Sequence, residues 1–346
     1  MDSQPNKSKK LLGNILRFAI PLVISVGLCW LLFRDFDYKE MWHIIRTECD
    51  FRWFAAGMVF AIGAQVFRAL RWRIQLRAIG VEPPLFALVL SIFGTYAVNL
   101  VFPRLGEIWR TGYIAQRQHA PFTAVFGSMM ADRLADTVTV ALFTVFTFIV
   151  ASGSIVSYLA QNEATYNSLR SLALSPWLWG SVVAVFLFVW WFMRRKTGNK
   201  LVNKIQQACR ELWHGFIAIF SMPDKGLWLV FTAGIWVCYF TQLYLGFYAF
   251  GFTAELLAQH GPVAALVTFV LSSISMGVPS NGGIGPWQWA VMFSLGIYGL
   301  DMQRGGAFAN MQLGITTLLT IALGLFTFIC IAIDRRKTAN SDSNPQ

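Results

Sequence analysis

The chain has 346 residues, of which 56% are hydrophobic and 13% charged, with 30 Phe, 14 Trp and a mean hydropathy of +0.53. Soluble globular chains carry about 25% charged residues, so these values exclude a sizeable aqueous domain and predict an all-α integral membrane protein. The net charge of +11 would suit a nucleic-acid binder, but Lys and Arg gather at the ends of apolar runs and act there as topology signals.

In chain order, residues 1–10 form a basic cytoplasmic tail. Leu11–Phe33 reads as an uncleaved first span, since the apolar run is too long for a signal peptide and no small-residue cleavage site follows. A mixed-charge stretch, 34–52, leads to a second span, Phe51–Leu70, which ends in Arg68, Arg71, Arg73 and Arg77. Residues 84–120 then combine an apolar arm, Pro84–Phe102, with a second arm carrying Arg104, Glu107, Arg110 and Arg117. A charge at mid-bilayer costs about 2.5–3.5 kcal/mol, so the second arm is expected to turn back at Pro103 as a re-entrant hairpin. Irregular backbone at that depth has to be packed in protein or line a wet cavity.

Pro121–Ser152 is the next span and contains Asp132, Arg133 and Asp136. After a polar loop, 153–174, come a span at Pro176–Met193 and an amphipathic stretch at 199–220 that fits a helix lying in the interface. Gly226–Phe250 is a further span. Residues 262–300 repeat the arm–break–arm pattern around Pro279-Ser280-Asn281-Gly282-Gly283-Ile284-Gly285-Pro286. Ala307–Ile333 is the last span, and residues 336–346 are expected to be a disordered cytoplasmic tail. The expected domain is therefore single, residues 11–335, with about six transmembrane helices and two re-entrant helical hairpins.

With the N-terminus inside, 21 of the 28 Lys and Arg residues fall on inner segments and six on outer ones, while Arg133 stays in the membrane. This asymmetry predicts that both termini are cytoplasmic. The two hairpins then dip from opposite faces, the pattern of a pseudo inverted repeat whose site lies near the midplane.

Arg104, Glu107 and Arg110 are spaced by three and would share one helix face. Pro103 suits a helix start, and exposed amides there attract anions. Arginine suits phosphate because its planar fork binds two oxygens while staying charged. These residues form either a functional site or an interfacial helix with its charges in water. Asp132, Arg133 and Asp136 have the spacing for an ion pair within their own helix, or they lie at the inner surface. Arg68 and Arg71 are either topology anchors or recruiters of an anionic headgroup. The segment from Pro279 to Pro286 is either a flexible outer loop or a pore-lining break. The five cysteines and four histidines show no metal spacing, and no catalytic motif is present, so no catalytic residue, metal or cofactor is expected.

Three stretches, in this order, resemble the transmembrane domain of the lysylphosphatidylglycerol synthase family, also called the flippase-like domain. They are Arg68-x-x-Arg71-Trp72, Asn99-x-x-x-Pro103-Arg104-x-Gly106-Glu107-x-x-Arg110, and Pro279-x-x-Gly282-Gly283-x-Gly285. Asp132-Arg133-x-x-Asp136 resembles the charged motif of the following helix, which in relatives is more often Glu-Arg. The resemblance covers about residues 10–335. It implies a bacterial inner-membrane protein that moves an anionic or zwitterionic phospholipid or a polyprenyl-linked headgroup between leaflets. Full synthases of the family add a soluble aminoacyl-transfer domain. This sequence ends in a short polar tail at Gln346, so no enzyme activity is expected. Many relatives have an acidic residue after the third motif where this chain has Trp287-Gln288, which argues against proton coupling on the outer side.

The expected substrate-binding residues are Arg68, Arg71, Asn99, Arg104, Glu107 and Arg110. Charge balance or gating falls to Asp132, Arg133 and Asp136, with Pro103, Gly106, Pro279, Gly282, Gly283 and Gly285 at the breaks. Expected partners are membrane lipids and enzymes of lipid synthesis or glycosylation, not nucleic acid. Two rival functions share the same motifs: a secondary transporter of a small anion, and a membrane scaffold for a lipid-modifying enzyme.

Overall fold

The computed structural model describes residues 38–153, 222, 224–278 and 280–342, with isolated positions between 171 and 207. The expected span at 11–33 lies outside the described residues, as do most of the span at 176–193 and of the interfacial helix at 199–220. Among the described residues the chain is helical and has no strand, and Cys49 and Phe250 form a single isolated bridge. The helices are α1 (Tyr38–Glu48), α2 (Phe51–Arg77), α3 (Leu85–Val101), α4 (Leu105–Arg117) and α5 (Phe122–Val150). They continue with α6 (Lys225–Phe247), α7 (Gly251–His260), α8 (Pro262–Ser275), α9 (Pro286–Ile297) and α10 (Met302–Asp342).

Four of these helices, α2, α5, α6 and the Met302–Asp334 part of α10, are long and apolar enough to cross a membrane. They match four of the expected spans, and the remaining two are those outside the described residues. Their outward faces carry Val59, Leu142, Ile149, Val230, Val237, Leu318 and Leu325, all well exposed. Charged side chains of α2 and α5 point the other way, with Arg68, Arg71 and Asp132 buried. That distribution is the reverse of a soluble helix and follows from a solvent as apolar as leucine. We conclude that this is a multi-pass helical membrane protein.

Helices α1 and α7 were not expected. The charged stretch after residue 37 forms α1, and Asp50 then starts α2 by accepting from the Arg52 amide at 3.0 Å. Gly261, with φ +64°, ends α7, and Pro262 at the first turn of α8 redirects the chain by 111°. Nothing after Gly324 breaks α10 before Pro345, and its backbone stays helical to Asp342, into the expected tail.

Two pairs of short helices fold back on themselves. At 1.5 Å per residue, α3 and α4 are about 25 and 20 Å long, and α8 and α9 about 21 and 18 Å. None reaches the roughly 30 Å of a hydrocarbon core. The α3–α4 pair is antiparallel: Gly94 faces Trp109 and Gly106 faces the Thr95 carbonyl, with no room for a side chain at either glycine. The α8–α9 pair is antiparallel too, and the Ser294 hydroxyl donates to Thr268 Oγ1 at 2.9 Å. Two buried apolar clusters hold the elements. One joins α6 through α10 around Phe247, Phe250 and Phe308, and the other joins α2 to α3, α4 and α5 around Trp72, Leu88 and Ile114.

Gly127→Ala in α5 tests the helix surfaces. An added methyl meets nothing within 4 Å, and alanine is about 1 kcal/mol better than glycine inside a helix. The variant should denature at the same or a slightly higher temperature in detergent than the wild type.

Candidate functional site

Helices α2, α4 and α5 each turn charged residues one helical turn apart onto a common face, and the three faces meet. From α2 come Arg68 and Arg71, from α4 Glu107 and Arg110, and from α5 Asp132, Arg133 and Asp136. Asp132 is fully buried and accepts from Arg71 Nε at 2.8 Å, with Arg71 Nη2 at 2.6 Å. Asp136 accepts from Arg68 Nη1 at 2.5 Å and from Arg71 Nη2 at 2.7 Å. Arg133 Nη2 donates to Glu107 Oε1 at 2.6 Å, and Asn99 Nδ2 reaches the other Glu107 oxygen at 3.2 Å. Arg110 is fully buried, lies 4.5 Å above the Trp72 ring and has Asp132 Oδ2 at 3.5 Å. None of its three guanidinium nitrogens has a hydrogen-bond partner among the described residues. The indole of Trp72 is held by donating to Ser128 Oγ at 3.1 Å.

This arrangement corrects several sequence expectations. The main pairs of Asp132, Arg133 and Asp136 run between helices. The expected ion pair within α5 is present, Arg133 Nη1 to Asp136 Oδ2 at 3.8 Å, but Arg133's shorter contact, at 2.6 Å, is to Glu107 on α4. Arg68 and Arg71 are not anchors in water, being 4% and 0% exposed. Asn99 is committed locally: besides Glu107, its Oδ1 accepts from the Gly106 amide at 2.8 Å, and so it stitches the two arms together. That bond also uses one of the amides expected to bind an anion.

Arg104 does not share the face of Glu107 and Arg110. Helix α4 starts at Leu105, two residues later than the Pro103 signal suggests, leaving Arg104 as its N-cap in the left-handed region at φ +65°. Its guanidinium crosses to α8 and donates to the Gly277 carbonyl at 3.1 Å and to that of Met276 at 3.5 Å. A cation there complements the carbonyl end of α8. Leu100 packs at the same junction against Gly282, where a Cβ would lie 2.6 Å from the leucine methyl. The tips of the two helical pairs thus meet.

The third motif is a true break. Gly282, Gly283 and Gly285 have φ of +62°, +88° and +92°, a region that side chains disfavour. Gln288, one turn into α9, accepts from the Gly285 amide at 2.9 Å and reaches Asn310 on α10. Pro279 lies outside the described residues. Sequence reasoning missed Tyr96 and Tyr239, whose hydroxyls meet at 3.0 Å beside Arg68. Tyr96 stands three residues before Asn99, and that spacing was the available signal. Among the described residues no group of His, Cys, Asp and Glu could hold a metal ion.

Arg104 offers a test of local strain. A left-handed conformation costs a residue with a side chain about 1–2 kcal/mol, while the two carbonyl bonds offset part of this. Arg104→Ala loses the bonds and keeps the strain, whereas Arg104→Gly loses both. The alanine variant should be less stable than the glycine variant by about 1 kcal/mol, read as their difference in thermal midpoint.

A family model described as the lysylphosphatidylglycerol synthase TM region matches residues 18–324, nearly the whole chain. No curated protein and no solved structure matches it.

Proposed function

We propose, from the premise that the chain belongs to the lysylphosphatidylglycerol synthase transmembrane family, that it moves the phosphate-bearing headgroup of a membrane lipid between leaflets. The observation that supports this reading is Arg110, a wholly buried guanidinium without a hydrogen-bond partner among the described residues, in a cluster whose described members are richer in cations than anions. A phosphate could accept from it in the two-pronged geometry that suits guanidinium. Arg68 and Arg71 then form the floor of the site, Glu107 and Arg133 its mouth, and Asp132 and Asp136 hold the arginines in place. The short α3–α4 and α8–α9 pairs act as opposed re-entrant hairpins, so polar groups are available at membrane depth while acyl chains stay in lipid.

On this reading the protein works in a bacterial cytoplasmic membrane with both termini in the cytoplasm, without catalysing a covalent step. Enzymes of lipid synthesis or glycosylation would supply its substrate. A fluorescent-phospholipid translocation assay in liposomes tests it. Each hydrogen bond to a charged group is worth about 1.5–3 kcal/mol, so Arg110→Gln should slow translocation by about 10-fold or more. Equal rates for the two proteins, or no transport by the wild type, would overturn the reading.

A further inference from the structure

The cluster's charge balance, taken together with the lipid reading above on which this inference rests, specifies what charge a bound headgroup carries. Among the described residues four guanidiniums, Arg68, Arg71, Arg110 and Arg133, face three carboxylates, Asp132, Asp136 and Glu107. Asp132 and Asp136 are occupied by Arg68 and Arg71 on the floor. Glu107 is occupied by Arg133 at the rim, where their side chains are 12% and 28% exposed, the least enclosed pair of the set after Asp136 is counted with the floor. Arg110 is left over. It is fully buried, its three nitrogens lack hydrogen bonds, and Arg68 Nε, Arg71 Nη1 and Arg133 Nε also have none.

Glu107 is placed to control how much of this positive charge a ligand meets. It lies one turn before Arg110 on the same face of α4, and Asn99 fixes its second oxygen. We propose that Glu107 is a specificity-determining residue that sets the headgroup charge: with its carboxylate in place the cluster has one uncompensated cation and takes a singly charged phosphodiester. Without that carboxylate two cations are uncompensated. The site then favours a phosphomonoester, whose charge at neutral pH is about −1.5 to −2.

The test uses the full-length protein incubated with phosphatidylcholine vesicles containing equal amounts of phosphatidylglycerol, a phosphodiester, and phosphatidic acid, a phosphomonoester. The retained lipids are counted by native mass spectrometry. The wild type should retain phosphatidylglycerol in preference to phosphatidic acid by about 10-fold. Glu107→Gln should reverse that order, and Glu107→Asp, which keeps the charge, should not. The readout is a ratio between two lipids, so a partial loss of folded protein, the result expected if Glu107 served only to hold Arg133, does not move it.

The same ratio in wild type and Glu107→Gln, or no retention of either lipid above phosphatidylcholine, overturns the inference. A second arm adds water-soluble glycerophosphoglycerol. If the free headgroup displaces phosphatidylglycerol at equal concentration, the charge rule stands and the lipid reading gives way to a small-anion carrier. If it does not, the phosphodiester reaches the site as part of a lipid, and both stand.

Discussion

Asp132→Ala should produce a protein that is largely lost from the folded, detergent-soluble fraction. The carboxylate is fully buried, and within 3.6 Å of it lie guanidiniums of Arg68, Arg71 and Arg110. Its removal leaves these cations facing one another in a medium that screens poorly. Deleting one partner of a buried pair costs about 3–5 kcal/mol, a large share of the 5–15 kcal/mol that holds a typical protein folded. Asp132→Asn keeps the volume and should suffer nearly as much, because charge is the missing quantity. Adding Arg71→Leu to Asp132→Leu should recover part of the loss, since removing both partners spares the uncompensated charge. Size-exclusion profiles and thermal midpoints in detergent, compared across these variants, check the order. A fully stable Asp132→Ala protein would mean that the arginines find other partners.

Gly106→Ala should disrupt the α3–α4 hairpin itself. An added Cβ falls well inside contact distance of the Thr95 carbonyl oxygen and 2.8 Å from Asn99 Oδ1. The first of these is backbone and cannot swing away. Overpacking costs about 1–3 kcal/mol in ordinary cores, more than the roughly 1 kcal/mol that alanine gains over glycine as a helix former. The arms would have to separate, and Glu107 and Arg110 would move with α4. On the proposed function, lipid translocation should therefore fall together with stability. Gly112→Ala, on the same helix with nothing within 4 Å of its added methyl, is the control and should lower neither.

The broken elements were legible because they depend on local physics. Apolar length and charge density picked out the segments now seen as α2, α5, α6 and α10. The short arms on either side of Pro103 and of the Gly282–Gly285 stretch were visible for the same reason. Helix α7 was hidden, since its ten residues are neither apolar enough for a span nor clearly periodic, whereas the Met41, Ile44 and Ile45 face of α1 has helical spacing that the many charges around it masked. The Arg104 assignment failed because the helix starts two residues after Pro103. Counting from Pro103 put it on the helix, but the left-handed turn took it off and pointed it at α8.

The motifs supplied the members of the charged site without their partners. Arg68 with Arg71, Glu107 with Arg110, and Asp132 with Asp136 could each be read as neighbours on one face, because a helix places residues three or four apart together. Nothing local says that Arg71 meets Asp132, 61 residues away, or that Glu107 meets Arg133. Tyr96 and Tyr239, from α3 and α6, come together only through packing of those helices beside Arg68.

Composition and periodicity by themselves determined the helical membrane class, the apolar lengths and the points where the chain must bend, since each follows from the bilayer's intolerance of unpaired polar groups. Tertiary structure alone decided which charges neutralise one another and which is left over. Spans and short arms can be placed by the sequence because each answers to the solvent around it. The spare guanidinium of Arg110 answers to two other helices, α2 and α5, and long-range contacts of that kind have no period to read.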